Sequence, residues 1–456
     1  MDIEIKKLLL EHTEYADKQV TIKGWVRNNR AQKEFGFIDL NDGTAFESVQ
    51  VVYEDKELEN FKDVAKYNSG SAVSVTGRVV LTPKMKQAFE IKADQVILEG
   101  SSLEDYAIQP KRHSREFLRE NAHFRPRTNL FNAVFRVRSV ISFAVHKFFQ
   151  ERNFVYLHSP IITASDAEGA GEMFQVTTLG QTKVEEGHKN DFFGKKSNLS
   201  VSGQLQAEAF ALAFKNVYTF GPTFRAEKSN TQRHASEFWM IEPEIAFADL
   251  DDDMTLAEEM VKYIIKDVFN QCPSELAFFN KFVEKGLIDK LKKVLNSDFK
   301  RITHKEATDI LVKNNDKFII KASNGDDLAT EHEKFLTKHF DGPVFVTDWP
   351  KHIKAFYMRM NDDLETVAAM DLLVPGAGEL IGGSQREERL DMLEKRMEEM
   401  HVDGQELWWY KELRKYGGNK HAGYGLGLDR MIMYVTGVDN IRDVIPFPRT
   451  PKNCEF

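Results

Sequence analysis

A chain of 456 residues, 42% of them hydrophobic, is long enough to bury a large core and, at ordinary domain sizes, to divide into two or three domains. No apolar run approaches the ~18 residues of a spanning helix, and Met1 to Lys7 lacks a basic start followed by an apolar stretch, so a soluble, cytoplasmic protein without membrane contact is expected. A formal charge of −9 excludes a nonspecific nucleic-acid binder held by phosphate neutralisation, though not a specific RNA partner, and the two cysteines, Cys272 and Cys454, exclude a zinc-finger ligand set.

From Lys18 to about Leu98 the sequence reads as short strands. Val20-Thr21-Ile22-Lys23-Gly24-Trp25-Val26 alternates, and β-branched runs follow at Val49-Gln50-Val51-Val52 and Ala72-Val73-Ser74-Val75-Thr76. Asn41-Asp42-Gly43 marks a hairpin, and the polar stretch from Glu54 to Tyr67 suits a helix between the third and fourth strands. Five strands with a helix after the third fit an OB-fold over residues 1–100, a small barrel that commonly binds oligonucleotides, although other small barrels share the pattern. Residues 101–130 read as a basic linker or hinge. Between Ile108 and Arg138, the cations Lys111, Arg112, Arg115, Arg119, Arg125, Arg127, Arg136 and Arg138 face only Glu116 and Glu120, which suits a basic patch and a solvated linker equally.

Residues 131–456 read as an α+β domain. Val134, Val137, Ile141, Val145 and Phe148 recur at helical spacing, and Asn153 to Ser159 forms a β-rich stretch stopped by Pro160. Val217 to Phe224 and Trp239 to Phe247 suggest an antiparallel pair around a polar loop, and helices are expected over Met254 to Phe269 and Gln385 to Met400.

Two constellations carry chemistry. Arg225 and Glu227 end one candidate strand, and the loop from Lys228 to Ser236 carries Arg233 and His234 ahead of Phe238. Such cations could hold phosphates while the aromatic ring stacks a purine, but taken alone they are better explained by a surface ion-pair network. In Gly423-Tyr424-Gly425-Leu426-Gly427-Leu428-Asp429-Arg430, alternating glycines in a strand lead to an arginine at a helix start, a setting for anions that lacks the lysine of a P-loop.

In this order, and with the Pro160 segment, these features resemble the three motifs of class II aminoacyl-tRNA synthetases. The resemblance extends to the aspartyl/asparaginyl/lysyl subgroup, which places an anticodon-binding OB-fold before the catalytic domain. It reaches the asparaginyl family through Val201-Ser202-Gly203-Gln204-Leu205-Gln206-Ala207-Glu208, through Gly378-Glu379-Leu380-Ile381-Gly382-Gly383-Ser384-Gln385-Arg386-Glu387-Glu388-Arg389, and through the ending Pro446-Phe447-Pro448-Arg449-Thr450-Pro451. It implies a catalytic antiparallel sheet with flanking helices, ATP and L-asparagine as substrates, tRNA(Asn) as partner, Mg²⁺ as cofactor, and a homodimer formed through the helix and strand leading to Pro160. The segment of about 273–343 has no motif and reads as an insertion. The rivals are an aspartyl-tRNA synthetase, an asparagine synthetase, which normally lacks the barrel, and a noncatalytic tRNA-binding paralogue.

The resemblance also implies roles. Arg225 would hold the α-phosphate, Arg233 and His234 the pyrophosphate end, and Arg430 the γ-phosphate while covering the adenine whose other face meets Phe238. Glu227 and Gly427 would complete the ATP site, and Glu379 would bind Mg²⁺. A serine that helps with the metal in archaeal aspartyl relatives is replaced here by Gly382. Glu168 would take the substrate ammonium group. Gln204 and Glu208 share a face if their segment is helical, and Glu208 with Arg386 would read the substrate carboxamide; a charged helix surface is the other reading. In the barrel, Arg30, Phe37 and Gln50 would read the central anticodon base, unless Phe37 belongs to the core.

Overall fold

The computed structural model describes residues 1–85, 87–165, 172–180, 187–229 and 231–456. The chain forms two compact units, Met1–Phe135 and Arg136–Phe456.

In the first unit, helix α1 (Ile5–Glu11) precedes strands β1 (Gln19–Ala31), β2 (Phe35–Asn41) and β3 (Val49–Glu54), a short helix α2 (Phe61–Val64), and strands β4 (Ala72–Leu81) and β5 (Phe89–Gly100). The strands close into a barrel of order β1-β2-β3-β5-β4. Alternation in sequence becomes alternation in space: Val20, Ile22 and Val26 of β1 point inward with Ile38 and Leu40 of β2 and Val51 and Tyr53 of β3. Each side chain so buried contributes about 1.5–3 kcal/mol of transfer free energy. The Asn41-Asp42-Gly43 turn forms as expected, with Gly43 at φ +83° and the Asn41 amide donating to the Ala45 and Glu47 carbonyls. Helix α3 (Arg115–Glu120) starts at Ser114, whose hydroxyl accepts the Phe117 N–H. The basic stretch is not a uniformly solvated face, because Arg125 is fully buried with its guanidinium 4.4 Å from the centre of the Phe131 ring.

Helix α4 (Asn129–Gln150) follows, and Val134, Val137, Ile141, Val145 and Phe148 are all fully buried along one stripe. Next come β6 (Val155–Leu157) and a small sheet of β7 (Ile162–Thr163), β8 (Gln175–Val176) and β9 (Ser197–Leu199) in the order β7-β9-β8. Helix α5 (Gln204–Phe214) leads to the antiparallel pair β10 (Asn216–Phe224) and β11 (Glu237–Ala246), which register Phe224 against Glu237. Helix α6 (Leu250–Gln271), started by an Asp249–Asp252 capping box, leads into α7 (Pro273–Phe282), α8 (Leu287–Asn296), β12 (Lys300–Thr303), α9 (His304–Val312) and α10 (Thr330–His339). The remainder is β13 (Val344–Pro350), β14 (Thr366–Val374), β15 (Gly378–Gln385), α11 (Leu390–Glu399), α12 (Trp408–Lys415), β16 (His421–Gly427) and α13 (Leu428–Thr436).

The large sheet has the order β12-β13-β14-β15-β16-β11-β10-β6. Its interior pairs are antiparallel, as expected, but β12–β13 and β6–β10 at the two edges are parallel, so the sheet is mixed. The segment at 273–343 supplies the edge strand β12, and its Ile302, Ala307, Leu311 and Leu336 share a core with Val344 and Val346 of β13. The helix expected from Gln385 starts only at Leu390, since β15 runs through Gln385 before the chain turns. Among the described residues no helix is long and apolar enough to cross a membrane.

Candidate functional site

A cleft of about 270 Å³ opens over the central strands β11, β15 and β16, and it gathers Arg225, Glu227, Arg233, His234, Phe238, Glu379, Gly427 and Arg430 with Gln204 and Arg386. These residues come from four separate stretches of sequence. Glycine allows the strands to meet: a Cβ at Gly423 would lie 2.3 Å from the Pro243 carbonyl oxygen, so only glycine lets β16 pair with β11 there. The same constraint operates at Gly203, where a Cβ would meet the Ser159 hydroxyl oxygen at 2.5 Å; Gln204 is thereby held against β10. Glu242 fixes that corner, accepting from the Gly203 N–H at 3.0 Å and the Thr219 hydroxyl at 2.9 Å.

One end of the cleft is cationic. The Arg225 guanidinium lies 5.5 Å from the centre of the Phe238 ring. Arg233 donates to the Glu379 carbonyl at 2.9 Å, and the Arg430 guanidinium stands 3.9 Å from the Glu379 carboxylate. Burial lowers the Arg233 pKa and the charge of Arg430 lowers it further; His234 is shifted down by the same two causes, with Arg233 and Arg225 adding to them and Glu227 opposing. The cationic charges that add to burial in lowering Arg233 and His234 are of the sign a polyphosphate would offset.

The opposite end is neutral to anionic. Arg386 is 2% exposed, makes a two-pronged ion pair with the fully buried Glu244 and donates to the Ser384 hydroxyl at 3.0 Å. Burial works against its charge, but Glu244 more than compensates, so Arg386 stays cationic where it lines the cleft. Glu208 lies behind the wall. It is fully buried, and its two oxygens accept from Gln204 Nε2 at 3.1 Å, from the Tyr410 hydroxyl, Arg414 Nη2 and His421 Nε2 at 2.8 Å each. The charged-helix-surface reading fails on this burial. Burial also raises the carboxyl pKa, but Arg414, His421 and Arg386 outweigh it and hold Glu208 well below the ordinary carboxylate range. A carboxylate has about four lone-pair sites. Direct contact between Glu208 and a ligand therefore requires one of these donors to give way, and Gln204 is the one on the cleft wall.

Two carboxylates near Glu379 carry no sequence motif. Asp371 lies beside Glu379, paired with Lys354 at 2.7 Å, and burial with the nearby Glu379 charge raises its pKa to about 6 despite that lysine. Glu333 on α10 accepts the Glu379 N–H at 3.2 Å, and burial, with Glu379 again adding, raises it to about 7. The one legible signal was a lone carboxylate in the apolar run Ala369-Met370-Asp371-Leu372-Leu373-Val374. A side chain at Gly382 would begin 3.4 Å from a Glu379 oxygen and 3.5 Å from an Asp371 oxygen. Crowded carboxylates beside the cationic end of the cleft are of the ligand type a hard divalent cation takes. Among the described residues no group of three or more histidine, cysteine, aspartate or glutamate side chains is placed to hold a metal ion. Glu168 lies outside the described residues.

On the barrel, Arg30 pairs in register with Phe37, and Asp39 with Gln50. Phe37 and Asp39 alternate with the fully buried Ile38 and Leu40, so Phe37 faces outward, half-buried, and is not a core residue. The Arg30 guanidinium is 5.7 Å from the centre of its ring, and Gln50 Nε2 donates to Glu90 at 3.3 Å. A cation, an aromatic ring and an amide thus share one open face.

Residues 114–451 match the family model for tRNA synthetases class II (D, K and N), and residues 20–99 match an OB-fold nucleic acid binding domain. The chain is 61% identical to the asparagine–tRNA ligase of Acholeplasma laidlawii and 62% identical to that of Clostridium acetobutylicum, over 100% of each pair of chains. Among solved structures, asparaginyl-tRNA synthetase from Pyrococcus horikoshii complexed with asparaginyl-adenylate superposes with a TM-score of 0.88 at 31% identity, covering 100% of this chain and 99% of the other.

Proposed function

The chain belongs to the class II tRNA synthetases of the D, K and N group and within them to the asparagine–tRNA ligases, and from this premise we propose how its residues divide the work. The enzyme joins L-asparagine to ATP as asparaginyl-adenylate, releasing pyrophosphate, and passes the asparaginyl group to the 3′-hydroxyl of tRNA(Asn). The asparagine carboxylate is already ionised at neutral pH and attacks the α-phosphorus without a general base, so the protein's task is placement and charge neutralisation.

Arg225 holds the α-phosphate, Arg233 and His234 the departing pyrophosphate, and Arg430 the γ-phosphate, with adenine on Phe238 and Glu227 and Gly427 lining the rest. The observation that carries this reading is the single cleft in which four cationic or titratable side chains face one end while Gln204 and Arg386 face the other. Mg²⁺, which offsets phosphate charge when bound, would be held by Glu379 with Asp371 beside it. Glu168 takes the substrate ammonium group. Arg386 donates to the asparagine side-chain oxygen, and the Gln204–Glu208 pair supplies the acceptor for its NH₂, an arrangement in which an aspartate side chain meets negative charge instead. The open barrel face of Arg30, Phe37 and Gln50 reads the anticodon.

The enzyme works as a homodimer in the cytoplasm. Support for the dimer comes from α4 and its surroundings, where Phe143, Trp239 and Phe447 remain 68%, 38% and 43% exposed. Pyrophosphate exchange run separately with asparagine and with aspartate tests the core of the reading: exchange that follows aspartate alone would contradict it.

A further inference from the structure

A second concavity, of about 370 Å³, lies between α8 and α10 and shares no lining residue with the cleft. Lys290 and Lys293 of α8 face Lys334 and Lys338 of α10 across it, and Asp341 is the one carboxylate lining it. Lys290 pairs with Glu284 at 2.8 Å and Lys293 with Asp341, whereas among the described residues Lys334 and Lys338 make no ion pair and are exposed. A chain with a net charge of −9 thus sets two rows of lysines against each other over a floor that includes Gly342 and Gly376. Glu284 and Asp341 offset the two α8 lysines, so the surplus positive charge of the groove rests with Lys334 and Lys338, and a phosphate chain lying in the groove would offset it.

The position narrows the source of that phosphate. Lys334 follows Glu333, whose carboxylate accepts the Glu379 N–H, and the groove's Gly376 lies in the turn joining β14 to β15, the strands that carry Asp371 and Glu379. The groove therefore borders the end of the cleft where the leaving phosphates are proposed to lie. We infer that this groove binds the phosphodiester backbone of the RNA substrate, steadying the strand that delivers its 3′ end to the cleft. The inference rests on the asparagine–tRNA ligase reading and adds a contact surface to it. Affinity held by phosphate contacts falls with salt, and each contact contributes roughly 0.7–0.9 to the slope of log K against log salt.

The test is the double variant Lys334→Ala/Lys338→Ala in the full-length enzyme, with charge reversal to Glu at both positions as the stronger form. Both residues are exposed and helical, and alanine keeps the helix. Binding of tRNA(Asn) across a salt series should weaken, with a slope shallower by about 1.4–1.8, while tRNA-free pyrophosphate exchange and the melting temperature stay at wild-type values. Unchanged tRNA affinity and slope in both variants would overturn the inference. So would a loss confined to tRNA-free exchange, which would assign the groove to ATP or pyrophosphate. A wild-type enzyme inactive in exchange with asparagine would instead defeat the underlying reading, so the two failures are distinct.

Discussion

The guanidinium of Arg225 lies 5.5 Å from the centre of the Phe238 ring, so the side chain proposed for the α-phosphate occupies the platform proposed for adenine. When ATP enters, the base takes the ring and the cation moves to the phosphate, exchanging a cation–π contact for a charge-assisted hydrogen bond. Arg430 has only a loose contact to give up, 3.9 Å from Glu379. Arg225→Ala and Arg430→Ala should each lower asparagine-dependent pyrophosphate exchange on the order of 10²-fold or more, because each removes charge stabilisation at a transferring phosphate. Melting temperature checks the fold, and near-normal exchange in a folded variant would remove that arginine from the site.

What the sequence made legible follows a physical divide. Glycine spacing, strand alternation and the cations beside them are local, so the cleft's cationic end and the barrel's outer face could be read from neighbouring residues. The setting of Glu208 could not. Its donors Tyr410, Arg414 and His421 lie 202, 206 and 213 residues further along, and nothing in the helix around Gln204 announces that they converge there. Arg386 was visible as part of a motif, but its strand setting was hidden, since charged residues from Arg386 to Arg389 look helical until β15 is known to continue to Gln385. Asp371 and Glu333 escaped for a third reason: each is a single carboxylate whose meaning depends on Glu379 lying beside it.

The barrel prediction separates two modules of one enzyme. Phe37 projects from β2 between the inward Ile38 and its outward neighbour Arg30, so truncating it removes a stacking surface and leaves the barrel core in place. Phe37→Ala should reduce aminoacylation of tRNA(Asn) by about 1–3 kcal/mol of lost stacking while pyrophosphate exchange stays nearly unchanged. An equal loss in both assays would make Phe37 a folding residue.

His234 supplies a pH test. Burial and the charge of Arg430 hold its pKa below the ordinary value of 6.5, so near neutrality the imidazole is uncharged. Phosphates placed against it favour the imidazolium and raise its pKa in the complex. Binding then takes up a proton, and ATP affinity should strengthen as pH falls through the bound-state pKa toward the lower free-state pKa, by roughly tenfold for each unit that binding raises it. The imidazole proton resonances, titrated with and without a nonhydrolysable ATP analogue, measure this directly; a downward shift on binding would remove His234 from the phosphates.

The proposed twofold assembly predicts a light-scattering mass twice the 52.5 kDa of the chain at micromolar concentration. Phe143→Asp places a charge on the exposed side of α4, opposite the stripe that packs inward, and should shift the mass toward the monomer without unfolding it. A wild-type monomer that is active at that concentration would end the dimer proposal.

Specificity is the sharpest claim, because asparagine and aspartate differ by an amide and a carboxylate of nearly equal size. A site built on polar groups can separate such pairs by about 10⁴-fold or more, since the wrong ligand leaves buried groups repelled or unpaired. Gln204 Nε2 donates to Glu208, which orients the Gln204 carbonyl as an acceptor and places a negative charge behind it. Glu208→Gln removes that charge and should relax the exclusion of aspartate by tenfold or more while weakening asparagine activation. It also leaves Arg414, fully buried, without its carboxylate, at a cost of about 3–5 kcal/mol, and Glu208→Lys would set two cations together there. Stability and selectivity must therefore be measured apart. Gln204→Ala keeps the Glu208–Arg414–His421 cluster and loses only the member on the cleft wall, so it should shift the same selectivity with a much smaller fall in melting temperature. The deciding quantity is the ratio of kcat/KM for asparagine to that for aspartate in pyrophosphate exchange, taken on folded protein. If Glu208→Gln alone moves the ratio, the carboxylate meets the substrate amide itself and Gln204 gives way on binding; if both variants move it, Gln204 relays the effect. Should neither move it, the Glu208 cluster holds α5 to α12 and β16, and selection between the two amino acids rests with Arg386.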